Sequence, residues 1–251
     1  MRNAIKSGLL QVWDMKLFVG ALIVGTLIFG ASTESLVRFF RGELELPQQY
    51  HIDFIIRACK SDTLAAFIPI IATLPFSANY IDEQKSKYTH YLLVRCNYKE
   101  YIFSRVIVCF LAGGIVVTLG LCLAFMGALL LFYPSEIKAI NSQENEPLLH
   151  LMQTILLYSL CGGFWSIVGM AMSTIMESKY ISYATPFVLY YLLVILYERY
   201  FSDLFIIYPK TWTDPAAWPF GCWGAAIFLL EMTLIFAILF AYRAGRRLQQ
   251  L

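Results

Sequence analysis

The chain has 251 residues, of which 59% are hydrophobic and only 14% charged. A soluble globular domain carries about a quarter charged residues, so this balance excludes one and points to an integral membrane protein. The formal net charge of +2, with no basic-aromatic surface pattern, argues against nucleic-acid binding.

The N-terminal stretch "MRNAIKSGLLQVWDMK" repeats Ile5, Leu9, Val12 and Trp13 at helical spacing and flanks them with Arg2, Lys6 and Lys16. That pattern predicts an amphipathic helix over residues 1–16, lying in the headgroup layer with Trp13 at the interface. Apolar blocks then follow at Leu17–Ser32, Leu64–Tyr80, Ile102–Phe132, Leu151–Met176, Ile181–Tyr200 and Phe220–Tyr242. A crossing of the bilayer needs ~20 residues, so the expected fold is all-α, a single polytopic domain over residues 1–251 with six transmembrane helices. "FGAS" at Phe29–Ser32 offers the small residues of a cleavage site. The long preceding segment with Trp13 and Asp14 favours a retained first span.

Three connections stand out. After the first span come about 30 residues of mixed charge, longer than most compact connections. Between the second and third spans lies a charged, tyrosine-rich segment. Before the last span, "RYFSDLFIIYPKTWTDPAAWPFG" carries Pro209, Pro215 and Pro219 among Trp212 and Trp218, with Trp223 just beyond. This last stretch predicts broken helical pieces that re-enter the outer leaflet under protein cover.

Basic residues set the expected orientation. Arg2, Lys6, Lys16, Lys85, Lys87, Arg95, Lys99, Arg105, Lys179, Arg243, Arg246 and Arg247 fall on one side, 12 of the 19 Lys and Arg. The other side holds most acids, among them Glu43, Glu45, Asp53, Glu136, Glu144, Glu146, Asp203 and Asp214. The positive side is the cytoplasmic one, which puts both termini inside, in a multi-pass protein of the cell membrane.

Within the spans, Ser159/Gly163, Gly162/Ser166 and Gly169/Ser173 are small residues at i,i+4 spacing, and Gly113–Gly114 sit in the third span. Small residues let neighbouring helices approach closely, so packing is the expected role. Glu231 is the one ionisable residue well inside a span, in "FLLEMTL". Two roles stay open for it: lining a pathway, or sitting paired at a subunit seam. The chain has no GxxxxGK[ST] phosphate loop, no GxSxG and no HExxH. The 6 cysteines form no CxxC pair and the 3 histidines are far apart, so no metal site is expected.

The segment Asn79–Arg105 asks for an explanation, because a plain connector is shorter. Glu83 and Lys87 stand at i,i+4 in the order that supports a helix. Tyr88, Tyr91, Leu92 and Arg95 then share one face at 3–4 spacing. "CNYKEY" breaks the rhythm and predicts a turn before the third span. Such a polar and aromatic surface suits a partner protein.

The stretch "LPFSANYIDEQKSKYTHYLLVRCNYKEYIFSRVI" (Leu74–Ile107) resembles the segment between the second and third spans of the type-2 family of ABC transporter permeases. Glu83, Ser86, Leu92, Leu93, Asn97, Tyr101 and Arg105 occupy that family's motif positions. Ser86 stands where glycine is common, and "RC" where a proline often marks the turn. The layout agrees over nearly the whole chain. The resemblance implies a cytoplasmic coupling helix within residues 82–101 that docks on a separate ATP-binding subunit through Glu83, Lys87, Tyr88, Tyr91, Leu92 and Arg95. It implies a second permease subunit, identical or paralogous, with ATP and Mg held by the partner ATPase and no cofactor in this chain. The chain is then not an enzyme. It forms the pathway for export of a drug, peptide, lipid or glycan. Two other readings compete: a structural or regulatory membrane protein using the same segment for docking, and a membrane-embedded enzyme with Glu231 catalytic.

Overall fold

The computed structural model describes residues 8, 10–13, 15–42, 47, 49–86, 89, 97–136 and 146–248. Among the described residues every regular element is helical. α1 (Met15–Ala31) bends by 64° into α2 (Thr33–Phe40). α3 (Tyr50–Cys59) and α4 (Asp62–Thr73) follow, the second capped by Ser61, whose Oγ accepts the Leu64 N–H at 3.3 Å. Next come α5 (Asn79–Lys85), α6 (Tyr98–Phe132), α7 (Glu146–Met176), α8 (Lys179–Arg199) and α9 (Cys222–Leu248).

Four of these helices, α6 to α9, are long and apolar enough to cross a membrane, and the bent pair α1–α2 makes a fifth if it is one span. The expected continuous second span, Leu64–Tyr80, is broken. Pro75 lacks the N–H that would continue the ladder to the Ile71 carbonyl, and Leu74–Ala78 turn before α5 begins. α4 is therefore an apolar helix of only 12 residues. The third span starts earlier than its apolar run. Asn97 caps it by accepting the Lys99 N–H, and polar residues fill its first turn. Its 35 residues extend about 50 Å at ~1.5 Å each, well past the ~30 Å hydrocarbon core.

α7 is the central post: 72% of its apolar window is buried, against 17% for α8. Its small residues explain why. At Gly113 of α6 a Cβ would lie 2.5 Å from Ser166 Cβ and 2.6 Å from the Gly162 carbonyl oxygen. Gly114 faces Ser159, and Gly169 faces the Ser182 backbone of α8. The packing role read from the small-residue spacing thus holds, with α6 seated on the Ser159–Ser166 stretch. The outward faces of α8 and α9 remain apolar and exposed, with Val188, Leu192, Ile195, Ile227, Leu230 and Leu234.

At the far end of the bundle, short 3-10 helices at Phe205–Ile207, Pro209–Thr213 and Pro215–Ala217 form the link into α9. Trp212 is buried there, stacked on Trp165 at 5.9 Å, with its indole N–H donating to the Ile206 carbonyl at 2.7 Å. The proline-broken stretch expected before the last span is therefore a set of short helices pinned by one inward tryptophan.

Gly162→Val should lower the unfolding midpoint in detergent, since overpacking typically costs ~1–3 kcal/mol. Gly30→Ala, where a Cβ meets nothing within 4 Å, should leave the midpoint unchanged or raise it. Equal effects from the two substitutions would contradict the α6–α7 contact as described.

Candidate functional site

Arg105 sits one turn beyond Tyr101, near the start of α6, and is only 3% exposed. An arginine does not lose its charge on burial, so the fold must bring it acceptors. Glu83, at the end of α5, supplies them. Arg105 Nη2 donates to Glu83 Oε1 at 2.5 Å, and the Tyr101 hydroxyl donates to Glu83 Oε2 at 2.6 Å. Arg105 Nη1 donates to Gln11 Oε1 at 3.2 Å. The guanidinium lies over the rings of Phe76 (5.5 Å) and Tyr101 (5.2 Å), a cation–π sandwich. Among the described residues its Nε has no hydrogen-bond partner. Gly8 permits this closeness, because a Cβ there would stand 2.9 Å from Val108 Cγ2.

The cluster joins four pieces of chain: the N-terminal stretch at Gln11, the turn after α4 at Phe76, α5 at Glu83, and the foot of α6. It ties together the two ends of the segment between Ser86 and Asn97. Around it, Asp82 faces Lys179 at 3.9 Å and Arg247 pairs with Glu177 at 2.6 Å. The beginnings of α6 and α8, the ends of α7 and α9, and the N-terminal stretch therefore meet at one end of the bundle.

Electrostatics at Glu83 oppose each other. Burial pushes the carboxyl above its ordinary value, while the Arg105 charge and the Tyr101 hydroxyl pull it down; burial prevails. A carboxyl raised in the fold lends stability that is complete below its ordinary value of 4.5. That contribution is lost as pH climbs through the raised value.

The expected site residues fare differently. Glu83 is turned inward, 7% exposed, and its carboxylate meets Arg105 and Tyr101. Lys87, Tyr88, Tyr91, Leu92 and Arg95 lie outside the described residues. Glu231 lies elsewhere, on the exposed outward face of α9 between Leu230 and Leu234. Gln11 and Phe76 carried no signal in the sequence. Tyr101 and Arg105 did: an arginine one helical turn inside a span-leading helix needs an acid, and the same segment offers Asp82, Glu83 and Glu100.

A family model described as protein of unknown function (DUF2705) matches residues 18–211. That is more than half of the chain, and the chain belongs to this family. The matched stretch contains Glu83, Tyr101 and Arg105 and stops short of α9. No curated protein matches the chain.

Glu83→Ala should cost ~3–5 kcal/mol, because it leaves a buried arginine without its carboxylate. The double change Glu83→Leu with Arg105→Met should recover most of that loss in denaturant unfolding of the micelle-bound protein. Additive losses would show that the two side chains act separately. Wild-type stability should also decline relative to Glu83→Gln as pH rises above 4.5; parallel pH profiles would contradict the buried titration.

Proposed function

We propose that this member of the DUF2705 family is the membrane-spanning permease subunit of an ABC exporter. The observation that carries the reading is the Glu83–Tyr101–Arg105 cluster, which fastens both ends of the 87–96 segment to the bundle. A segment that only linked two spans has no need of a buried charged anchor. One that receives a push from a partner has such a need, since the push must reach the helices instead of being lost in a loose loop.

Other features support the same reading. Lys16, Lys85, Lys99, Lys179, Arg243, Arg246 and Arg247 belong to the cluster's end of the bundle, and positive charge favours the cytoplasmic face. Both termini are then inside the cell membrane, and the docking face for a cytoplasmic ATP-binding subunit is Lys87, Tyr88, Tyr91, Leu92 and Arg95, held in place by Glu83. ATP and Mg belong to that subunit, because this chain has no phosphate loop. Six crossings result if α1, the stretch Leu64–Tyr80 that begins with α4, and α6 to α9 each count as one. Most of the expected interfacial helix over residues 1–16 lies outside the described residues; within it residues 10–12 are helical, with Val12 buried against the core and Trp13 exposed. The 3-10 segment before α9 dips back toward the outer leaflet.

The outward face of α9 is the seam for a second permease subunit. Glu231 sits there among exposed Ile227, Leu230, Leu234 and Ile238. A carboxyl at that depth is costly against lipid and calls for a protein partner or water.

Co-expression with the ATP-binding protein encoded beside it is the direct test. Leu92→Asp should strip the ATPase from the purified complex, and Glu83→Ala should leave ATP hydrolysis uncoupled from transport. Normal assembly and transport in both variants would overturn the proposal. Glu231→Gln should alter transport rate or subunit association with the fold intact; a loss of folding alone would place Glu231 in a purely structural role.

A further inference from the structure

At the end of the bundle opposite Glu83 lies a cavity of about 240 Å³. It opens between the C-terminus of α3, the first turns of α7 and the 3-10 helix Pro209–Thr213. No motif in the sequence points to it, and the coupling role makes no use of it. Its volume equals roughly eight waters at ~30 Å³ each. It falls below the ~300–1,000 Å³ of pockets for drug-sized ligands, so its occupant is small.

The polar lining is lopsided in a way that defines that occupant. Three nitrogen side chains reach it from three separate elements: Lys60 after α3, His150 on α7 and Lys210 on the 3-10 helix. Lys210 is held by Asp62, which leaves it further N–H groups to donate. Lys60 has no ion-pair partner among the described residues. The hydroxyls nearby have already spent their protons. Thr154 donates to the His150 carbonyl at 2.8 Å, and Tyr158 donates to the Cys59 carbonyl. The Thr154 oxygen therefore accepts from His150 Nδ1–H at 3.2 Å, and this fixes the tautomer and leaves Nε2 available. Asp214 uses one oxygen to cap Ala216 N, and its other oxygen can accept.

The cavity thus offers ammonium donors on one part of its wall and oxygen acceptors on another. A bare inorganic anion would use only the first. An apolar molecule would leave both unanswered, which costs desolvation without return. A phosphate that also carries hydroxyl groups uses both: its oxygens take the lysine N–H groups, and its hydroxyls donate to Thr154, Tyr158 and Asp214.

We propose that this cavity is a binding site for a small polyol phosphate of the glycerophosphate type, with Lys60 and Lys210 on the phosphate and His150 Nε2, Thr154, Tyr158 and Asp214 accepting from the hydroxyls. The group reaches the site either as the head of an anionic lipid or as a free ester. The inference stands whether or not the chain works with an ATPase.

The experiment uses the full chain purified in neutral detergent. One arm measures radiolabelled glycerol 3-phosphate by equilibrium dialysis. The other reconstitutes the protein in vesicles of phosphatidylglycerol and phosphatidylcholine in equal parts and identifies co-purifying lipid by mass spectrometry. Binding in either arm is expected for wild type, and the arm that binds names the source. Lys60→Gln should weaken it roughly tenfold or more, the scale of a charged hydrogen bond, at an unchanged unfolding midpoint, because Lys60 is an exposed turn residue. Lys60→Arg should retain binding, and His150→Ala should weaken it from a different element. Absence of binding in both arms, or binding indifferent to both Lys60→Gln and His150→Ala, overturns the proposal.

Discussion

A guanidinium buried at the foot of a membrane helix dictates much of what surrounds it. Arg105 keeps its charge under all ordinary conditions, so the chain must bring a carboxylate, aromatic faces and a carbonyl acceptor to it. Glu83, Tyr101, Phe76 and Gln11 are those groups. Each belongs to a different part of the chain or a different helical turn. Their convergence closes the ends of the 87–96 segment upon each other and draws the N-terminal stretch across the foot of α6. The five turn residues Leu74–Ala78 separate α5 from α4, and Glu83 on α5 meets the foot of α6.

From that anchor the route into the bundle is short. α6 runs from Arg105 to the opposite end and rests on α7 where Gly113 and Gly114 meet Gly162, Ser166 and Ser159. Backbones this close leave no long side chains to re-pack, so the two helices shift together or not at all. α7 in turn carries Phe164 and Trp165, on which Trp212 is stacked. Under the proposed coupling, a displacement applied at Glu83 would be delivered along this pair to the 3-10 segment that closes the other end. This is the mechanical content of the proposed coupling: a buried ion pair as the handle and a glycine-serine seam as the shaft.

The sequence made some of this legible and hid the rest, for physical reasons. Apolar blocks reveal helices that are apolar all round, so α6 to α9 were readable. Small residues at i,i+4 mark a seam regardless of partner, so the α6–α7 contact was readable too. The break at Pro75 was missed because hydropathy continues straight across it, even though the missing N–H stops the ladder. An i,i+4 pair such as Glu83 with Lys87 is visible in one line of sequence. The Arg105 partner of Glu83 is 22 residues away, and only the tertiary fold brings it in. The cavity near Lys60 escaped for the same reason: its walls come from stretches separated by about 150 residues, and no single stretch shows a motif.

The two acidic residues singled out in the chain show opposite solutions to one problem. Glu83 is removed from water and answered from within, by Arg105 and Tyr101. Glu231 faces outward from α9 among leucines and isoleucines, and no ion pair reaches it from the described residues. A single chain whose outer surface met only lipid would gain from an apolar residue at that position. The asymmetry therefore carries information about assembly. The fold completes its own electrostatics at the Glu83–Arg105 clamp, while on α9 it leaves a carboxyl for water or another protein to satisfy, and the apolar residues around it favour a protein surface over a water-filled one.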